Sequence, residues 1–121
     1  MSESAEQQAL FRWAAMQSKA RPELALLLAI PNGGHRSKAT AGRLKAEGVR
    51  SGVPDVALPV ARAPHGGLWI ELKRQKTPGK PRGRISPAQE WWIGHLQAHG
   101  QLAAVCYGWL EAKELIEAYL S

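Results

Sequence analysis

Two short apolar runs separated by a loop rich in Pro and Gly constrain the fold of this chain most. The runs are VPDVALPV at 53–60 and GLWIELK at 67–73, with ARAPHG between them. Such runs, bounded by Pro and Gly, are typical of the two strands of a β-hairpin. If the hairpin turns around residues 62 to 65, Asp55 lies roughly opposite Glu71 to Lys73, because the residue numbers of antiparallel partners have a nearly constant sum. Asp55 is therefore expected to be a neighbour of Glu71 and Lys73, although they lie 16 and 18 positions further along the chain.

The second run predicts a charged pair on one face of the sheet, because side chains alternate along a strand: Glu71 and Lys73 share a face and Leu72 points to the other. Asp55 is the only aspartate of the chain, and no other acid except Glu71 occurs between residues 48 and 89. Two carboxylates about 4 Å apart repel by roughly 4 kcal/mol at a surface-like dielectric, so their pairing requires a cation. Mg²⁺ suits such a site, since it prefers carboxylate, water and phosphate oxygens. The alternative is that Asp55 caps a turn and Glu71 forms an ion pair on a solvated face.

The rest of the chain predicts helices on a mixed sheet, an α/β fold. An amphipathic helix is expected from about Glu3 to Ser18, and ELALLLAI favours a strand over a second helix. A basic helix from Ser37 to Glu47 precedes the hairpin, and a loop rich in Pro, Gly and cations follows it at 74–85. The remaining elements are a helix that begins with SPAQ, a strand in QLAAVCYG and a closing helix in WLEAKELIEAYL.

Length and charge narrow the class of protein. A chain of 121 residues suits one domain, and 16 Lys and Arg against 10 acids favour a polyanionic partner, either nucleic acid or an acidic membrane surface. The single cysteine, Cys106, lies in an apolar run, which excludes a disulfide framework and predicts a buried structural thiol. The polar N-terminus and the lack of a long apolar run lead us to expect a soluble, cytoplasmic protein without membrane segments.

Several of these segments together resemble one family. GVPDVALPV, GLWIELK and SPAQ, with the upstream IPNGGHRSKATAGRLKAEGV, resemble the VRR-NUC domain of the PD-(D/E)XK nuclease superfamily. The resemblance implies that residues 1–121 form a single nuclease domain with a restriction-endonuclease-like core. Small stand-alone members are often encoded by bacteria and phages, so a bacterial or phage-infected cell is the expected setting. The implied activity is metal-dependent hydrolysis of DNA phosphodiesters, selective for branched DNA as in Holliday-junction resolvases, by a homodimer.

The resemblance also assigns roles around the hairpin. Asp55 and Glu71 would bind Mg²⁺ or Mn²⁺ together with the main-chain carbonyl of Leu72, and Lys73 would be catalytic. These roles agree with the expected juxtaposition but go beyond what the spacing of the residues shows.

Two further site residues follow from the resemblance. Gln89 matches a glutamine of the family that lies near the site on a helix, although with Ser86 it also completes a capping box. The family has a glutamate on its first helix; Glu3 matches it best, and Glu6, one turn along, stays an alternative.

Basic residues on the second helix and the following loops predict a phosphate-binding surface. Asn32, in PNGG, matches a segment near the active centre of the family, although PNGG alone is simply a tight turn. Contacts to phosphates carry little sequence information, which favours structure-selective or nonspecific cleavage. The predicted DNA-binding residues are Asn32, Arg36, Lys38, Arg43, Lys45, Arg50, Lys76, Lys80, Arg82 and Arg84.

Three features of the sequence also allow other interpretations. His95 and His99 have a spacing seen in zinc sites, but without further ligands they read as a helix-surface pair. Trp91 and Trp92 could stack on bases, although tryptophans on such a helix more often fill a core or a dimer interface. The same basic surface would also suit a noncatalytic DNA-binding module or, less well, a protein that contacts RNA or membranes.

Overall fold

The computed structural model describes residues 1–31 and 37–121. Its elements are α1 (Glu3–Gln17), a 3₁₀ helix (Pro22–Leu26), β1 (Leu28–Ala29), α2 (Lys38–Ala46), β2 (Val56–Leu58), β3 (Leu68–Lys73), α3 (Pro87–Ala98), β4 (Leu102–Tyr107) and α4 (Trp109–Leu120). Among the described residues, no helix combines the length and apolar character that crossing a membrane requires.

The four strands form one mixed sheet in the order β1-β2-β3-β4. β1 pairs with β2 and β2 with β3 in antiparallel orientation, whereas β3 and β4 are parallel. A parallel pair needs a long crossover connection, and α3 lies on that crossover. The predicted α/β fold with a mixed sheet flanked by helices is therefore confirmed.

The hydrophobic core lies between the sheet and the two terminal helices. Leu10 of α1 and Ile116 of α4 are fully buried together with Leu58, Ile70 and Leu72 from the central strands. Both helices pack on each other and on β3. Leu68, Ile70 and Leu72 of β3 face this core, and Glu71 and Lys73, which point to the other face of the strand, are buried as well.

The strand predicted for the segment ELALLLAI is present only in part. Its first half lies in the 3₁₀ helix, and only Leu28 and Ala29 pair with β2. Pro22 stands at the first helical position, where its fixed φ favours a helical turn, and leucine and alanine have little strand preference. The short β1 nevertheless closes the edge of the sheet beside Asp55.

The predicted helix starts of α2 and α3 are confirmed by their caps. Ser37 accepts a hydrogen bond from the Thr40 amide, and Ser86 and Gln89 form a reciprocal capping box. Such caps satisfy amides that have no partner within the helix. The start of α3 lies next to the segment that leads into β2, because Trp92 Nε1 donates a hydrogen bond to the Ser51 carbonyl.

Candidate active site

The register of the hairpin places the acidic residues side by side. Val56 pairs with Ile70 and Leu58 with Leu68, so continuing the register by one position sets Asp55 level with Glu71. Reciprocal main-chain hydrogen bonds between Arg62 and His65 close the hairpin where the sequence predicted its turn. The predicted juxtaposition of Asp55 with Glu71 and its neighbours is thus present in the structure.

Asp55 is fixed by both neighbouring strands. Its side-chain Oδ2 accepts a hydrogen bond of 2.9 Å from the Leu72 amide, and its main-chain oxygen accepts one of 2.7 Å from the Ile30 amide. The residue is partly exposed, whereas Glu71 and Lys73 are 2% and 8% exposed. The charged cluster therefore opens to solvent at Asp55.

Glu71 is a buried carboxyl group whose charge is poorly compensated. The pKa of Glu71 is raised from 4.5 to about 9. The largest cause is burial, followed by a side-chain hydrogen bond with Asp55 and the negative charge of Asp55. Lys73 Nζ lies 4.0 Å from Glu71 Oε2 and lowers this pKa only in part. Within residues 1–31 and 37–121, Glu71 Oε1 is one of three buried side-chain atoms without a hydrogen-bond partner.

A divalent ion would supply the positive charge and the oxygen contact that these carboxylates lack. It would take the unpartnered oxygen and balance two adjacent carboxylates, which otherwise favour retention of a proton. The described part of the chain contains no group of three or more His, Cys, Asp or Glu side chains arranged to hold a metal. Two carboxylates fit an ion that keeps several waters and binds substrate oxygens, as Mg²⁺ does, better than Zn²⁺ with its usual four protein ligands.

The two glutamates of α1 have different surroundings. Glu3 is exposed, and its charge adds to the raised pKa of Glu71. A Cβ built on Gly83 would lie 3.1 Å from both Glu3 Oε2 and Lys73 Cδ, so these two side chains flank the same glycine. This geometry favours Glu3 as the α1 glutamate of the site.

Glu6 instead joins three parts of the fold. It is 1% exposed; Oε1 accepts a hydrogen bond from the Trp109 amide at the start of α4, and Oε2 accepts one from Gln75 Nε2. A carboxylate at a helix N-terminus is stabilised by the free amides there. Glu6 therefore anchors α4 and the segment after β3, which the sequence pattern did not indicate because its partners are 69 and 103 positions away.

Gln89 occupies its capping position. Its Oε1 accepts a hydrogen bond of 2.8 Å from the Ser86 amide, which is the second interpretation that the sequence allowed. The start of α3 nevertheless lies against the segment before Asp55, since a Cβ on Gly52 would be 2.6 Å from the Ala88 carbonyl carbon. A role of Gln89 in the reaction stays a prediction.

The predicted phosphate-binding residues within the described ranges are all exposed. Asn32 and Arg36 lie outside those ranges. We refer to the others as the basic surface: Lys38, Arg43, Lys45 and Arg50 around α2, and Lys76, Lys80, Arg82 and Arg84 in the loop after β3.

The loop of the basic surface folds back onto Lys73, which with Asp55 and Glu71 forms what we call the acidic cluster. The Gly83 amide donates to the Arg74 carbonyl, and the Arg82 guanidinium lies 4.5 Å from the centre of the Tyr107 ring. A pocket of about 760 Å³ opens between this loop and the start of α1, lined in part by Glu3, Arg74 and Lys80. No local pattern in the sequence indicated this position of Gly83, because its close contacts are to Glu3 and Lys73, which are distant in the chain.

Two secondary predictions are also settled by this geometry. His95 and His99 are both exposed at the end of α3, in agreement with a helix-surface pair. Cys106 is buried, and burial, with a smaller contribution from Glu111, raises the pKa of its thiol to about 12. A buried structural thiol is thus confirmed.

Two comparisons with known proteins find similarity over most of the chain. The family model described as "VRR-NUC domain" matches residues 1–109. A solved structure titled "VRR_NUC domain protein" is 28% identical in sequence and superposes with a TM-score of 0.82, covering 99% of this chain and 88% of that one. No curated protein matches the sequence significantly.

Proposed function

Because the chain belongs to the VRR-NUC domain family, whose members are nuclease-like, we propose that it is a metal-dependent endodeoxyribonuclease with Asp55, Glu71 and Lys73 at its active centre. The observation that carries this proposal is the buried Glu71 carboxyl group, level with Asp55 and with one oxygen unpartnered among the described residues. Burial of an uncompensated charge costs stability and is retained where it serves a function.

Each residue of the centre has a distinct task in this proposal. Asp55 and Glu71 hold Mg²⁺ or Mn²⁺, with the main-chain oxygen of Leu72 as a further ligand. When bound, the ion polarises a phosphate oxygen and makes a water molecule more acidic. Lys73, buried and aligned with Glu71, orients the attacking water and offsets negative charge that develops on the phosphate.

Two polar residues complete the proposed centre. Glu3 lies with Lys73 against Gly83 and can hold the ammonium in place. Gln89, at the start of α3, lies on the element that packs against the segment before Asp55. We propose that both orient groups at the centre.

The basic surface is proposed to bind the DNA backbone. Its exposed cations flank the acidic cluster on the side of the loop after β3, where Glu3 and Lys80 line one pocket. Phosphate contacts position DNA without reading its sequence, which supports selection by DNA structure, branched DNA in particular. A homodimer would present two such centres to two strands.

The decisive experiment is a cleavage panel of linear, flap and four-way DNA with Mg²⁺, Mn²⁺, Ca²⁺ or EDTA. We expect cleavage with Mg²⁺ or Mn²⁺ and none in EDTA. Asp55→Asn and Lys73→Met are expected to lower the cleavage rate about 100- to 1,000-fold or more, since each removes a preorganised charge. Both should retain DNA binding.

The matched control is Glu114→Gln, which removes an exposed carboxylate on α4 and should cut at the wild-type rate. Cleavage that persists in EDTA would contradict the metal mechanism. The alternative, a noncatalytic DNA-binding module, is supported by the same exposed cations and predicts tight binding without cleavage under every condition. Sedimentation of the free protein tests the homodimer.

A further inference from the structure

A second pocket, of about 530 Å³, lies between α2 and α3, and none of Asp55, Glu71 and Lys73 lines it. Its volume falls within the roughly 300–1,000 Å³ of typical small-ligand pockets. We call it the aromatic pocket; its walls include Leu44, Lys45, Val49, Arg50, Trp91 and Trp92. It thus combines two indole rings with two cations of the basic surface.

The two indoles form a fixed platform. Trp92 Nε1 donates a hydrogen bond of 3.1 Å to the Ser51 carbonyl, and Trp91 lies edge-on to Trp92 with ring centres 5.5 Å apart. The Trp91 ring also stacks on His95, at 4.0 Å and an interplanar angle of 24°, and His95 Nδ1 is 2.8 Å from the Trp91 carbonyl. Such preorganisation raises the affinity of a binding site, because the side chains lose little conformational freedom on binding.

Trp91 is nevertheless 55% exposed, and all of α3 lacks a buried residue within the described part of the chain. Of the two places expected for tryptophans of this helix, the core is therefore wrong for Trp91, and a dimer interface stays a prediction. A large exposed aromatic held in one orientation is more typical of a binding surface.

The charges of the pocket favour an anionic occupant with a flat apolar part. Lys45 is exposed, and Arg50 is held at the end of α2 by a hydrogen bond from Nη1 to the Lys45 carbonyl. A nucleotide has this chemistry: its base stacks on an indole and its phosphate pairs with the cations. A second copy of this chain is less suitable, since a two-fold contact through the pocket would bring the cations of both copies together.

We propose that the aromatic pocket binds an unpaired base of the DNA strand by stacking on Trp91, with Lys45 and Arg50 at its phosphate. This inference rests on the proposed function as a DNA nuclease and names the feature of DNA that the enzyme selects. A base inside a continuous duplex has neither face free, whereas a base at a branch, bulge or frayed end does. The pocket therefore gives preference for interrupted DNA over paired duplex.

The pocket lies close enough to the acidic cluster to influence where cleavage occurs. Ser51, whose carbonyl fixes Trp92, is four residues before Asp55. Four residues span at most about 14 Å, which corresponds to about four nucleotides along one strand of a duplex. Cleavage is thus expected within a few nucleotides of the unpaired base.

Binding in EDTA tests this proposal without cleavage. The probes are a duplex with one unpaired internal base and a fully paired duplex of equal length, compared by fluorescence anisotropy. Wild-type protein should prefer the bulged duplex, and Trp91→Ala should weaken that binding about tenfold or more with little change for the paired duplex. Trp91→Phe should retain most of the preference, and Leu110→Ala, which truncates another exposed apolar residue, should behave as wild type.

A measurement on the unmodified chain guards against variants that fail to fold. Quenching of tryptophan emission by the bulged duplex, and less by the paired duplex at equal saturation, supports stacking. Equal quenching by both probes, equal wild-type affinities, or an unchanged preference in Trp91→Ala overturns the proposal. A change from dimer to monomer in Trp91→Ala with no loss of preference assigns the pocket to a second copy and also overturns it.

The outcome separates the pocket from the nuclease activity. Preference for the bulged duplex without Mg²⁺-dependent cleavage contradicts the proposed function and leaves the pocket supported. Mg²⁺-dependent cleavage without that preference contradicts only the pocket.

Discussion

The acidic cluster and the basic surface are built in opposite ways. Glu71 and Lys73 are buried in the central strand of the sheet, and a single register fixes them relative to Asp55. The cations of α2 and the following loops are exposed, and α2 buries none of its nine residues within the described part of the chain. The chemistry proposed for the acidic cluster depends on the exact positions of its side chains. Binding by the basic surface depends on the sum of many weak charge interactions. Substitutions should therefore act sharply in one region and gradually in the other.

The sharpest way to test this contrast is to compare Glu3 and Glu6. Glu3→Ala should lower the cleavage rate about 100-fold through loss of order at Lys73, with the free energy of unfolding changed by less than about 0.5 kcal/mol, since Glu3 is exposed. Glu6→Ala should cost about 2–3 kcal/mol, because the Trp109 amide and the Gln75 side chain lose a charged partner. Urea unfolding and single-turnover cleavage measure the two quantities. Equal losses of stability in both variants would contradict the division of roles.

The pH dependence of stability probes the acidic cluster alone. Because the pKa of Glu71 is raised from 4.5 to about 9, the folded protein holds a proton that the unfolded chain releases above about pH 4.5. The free energy of unfolding of the metal-free protein should therefore fall as pH rises from about 5 to about 9. Glu71→Gln removes this dependence and should be more stable than wild type at pH 8 by about 1–3 kcal/mol.

Thermal unfolding in EDTA at pH 5, 7 and 9 measures this effect. Adding Mg²⁺ at pH 8 should stabilise the wild type, because an ion that binds only the folded state shifts the equilibrium, and should not stabilise Glu71→Gln. Parallel pH profiles for the two proteins in EDTA would show that Glu71 is ionised in both states.

The basic surface should show the smallest effect per residue. Lys38→Ala and Lys76→Ala, made in the Asp55→Asn background to prevent cleavage, should each reduce the slope of log affinity against log salt by about 0.9 on duplex DNA. Lys19→Ala is the control, because this exposed lysine follows α1 outside the basic surface. Identical slopes for all variants would place the DNA on another face of the molecule.

The parts that the sequence predicted correctly are those that depend on short-range rules. Strand alternation and the position of the turn were sufficient to place Asp55 roughly opposite Glu71 to Lys73, and the structure sets it level with Glu71. The SPAQ segment was sufficient for the capping box of α3. ELALLLAI was predicted less well, because leucine and alanine occur in both helices and strands. Pro22, at the first position of the 3₁₀ helix, favours the helical turn that the structure has. That residues 1–121 make a single nuclease domain remains a prediction.

The parts that could not be predicted depend on contacts between distant segments. Glu6 and Glu3 are equivalent in a helical pattern, yet the packing of α4 against α1 turns one into a buried anchor and leaves the other beside Lys73. Trp91 has the sequence context of a core residue, but nothing in that context shows that the outer face of α3 is left uncovered.

The sequence by itself determined the chemical groups, the order of the elements and the pairing of the hairpin, because these follow from local conformational preferences and from the fixed period of a strand. Only the tertiary structure decided which charges are buried. Whether a carboxylate retains a proton, anchors a helix or can receive a divalent ion depends on how much water and how many partners the rest of the fold leaves around it.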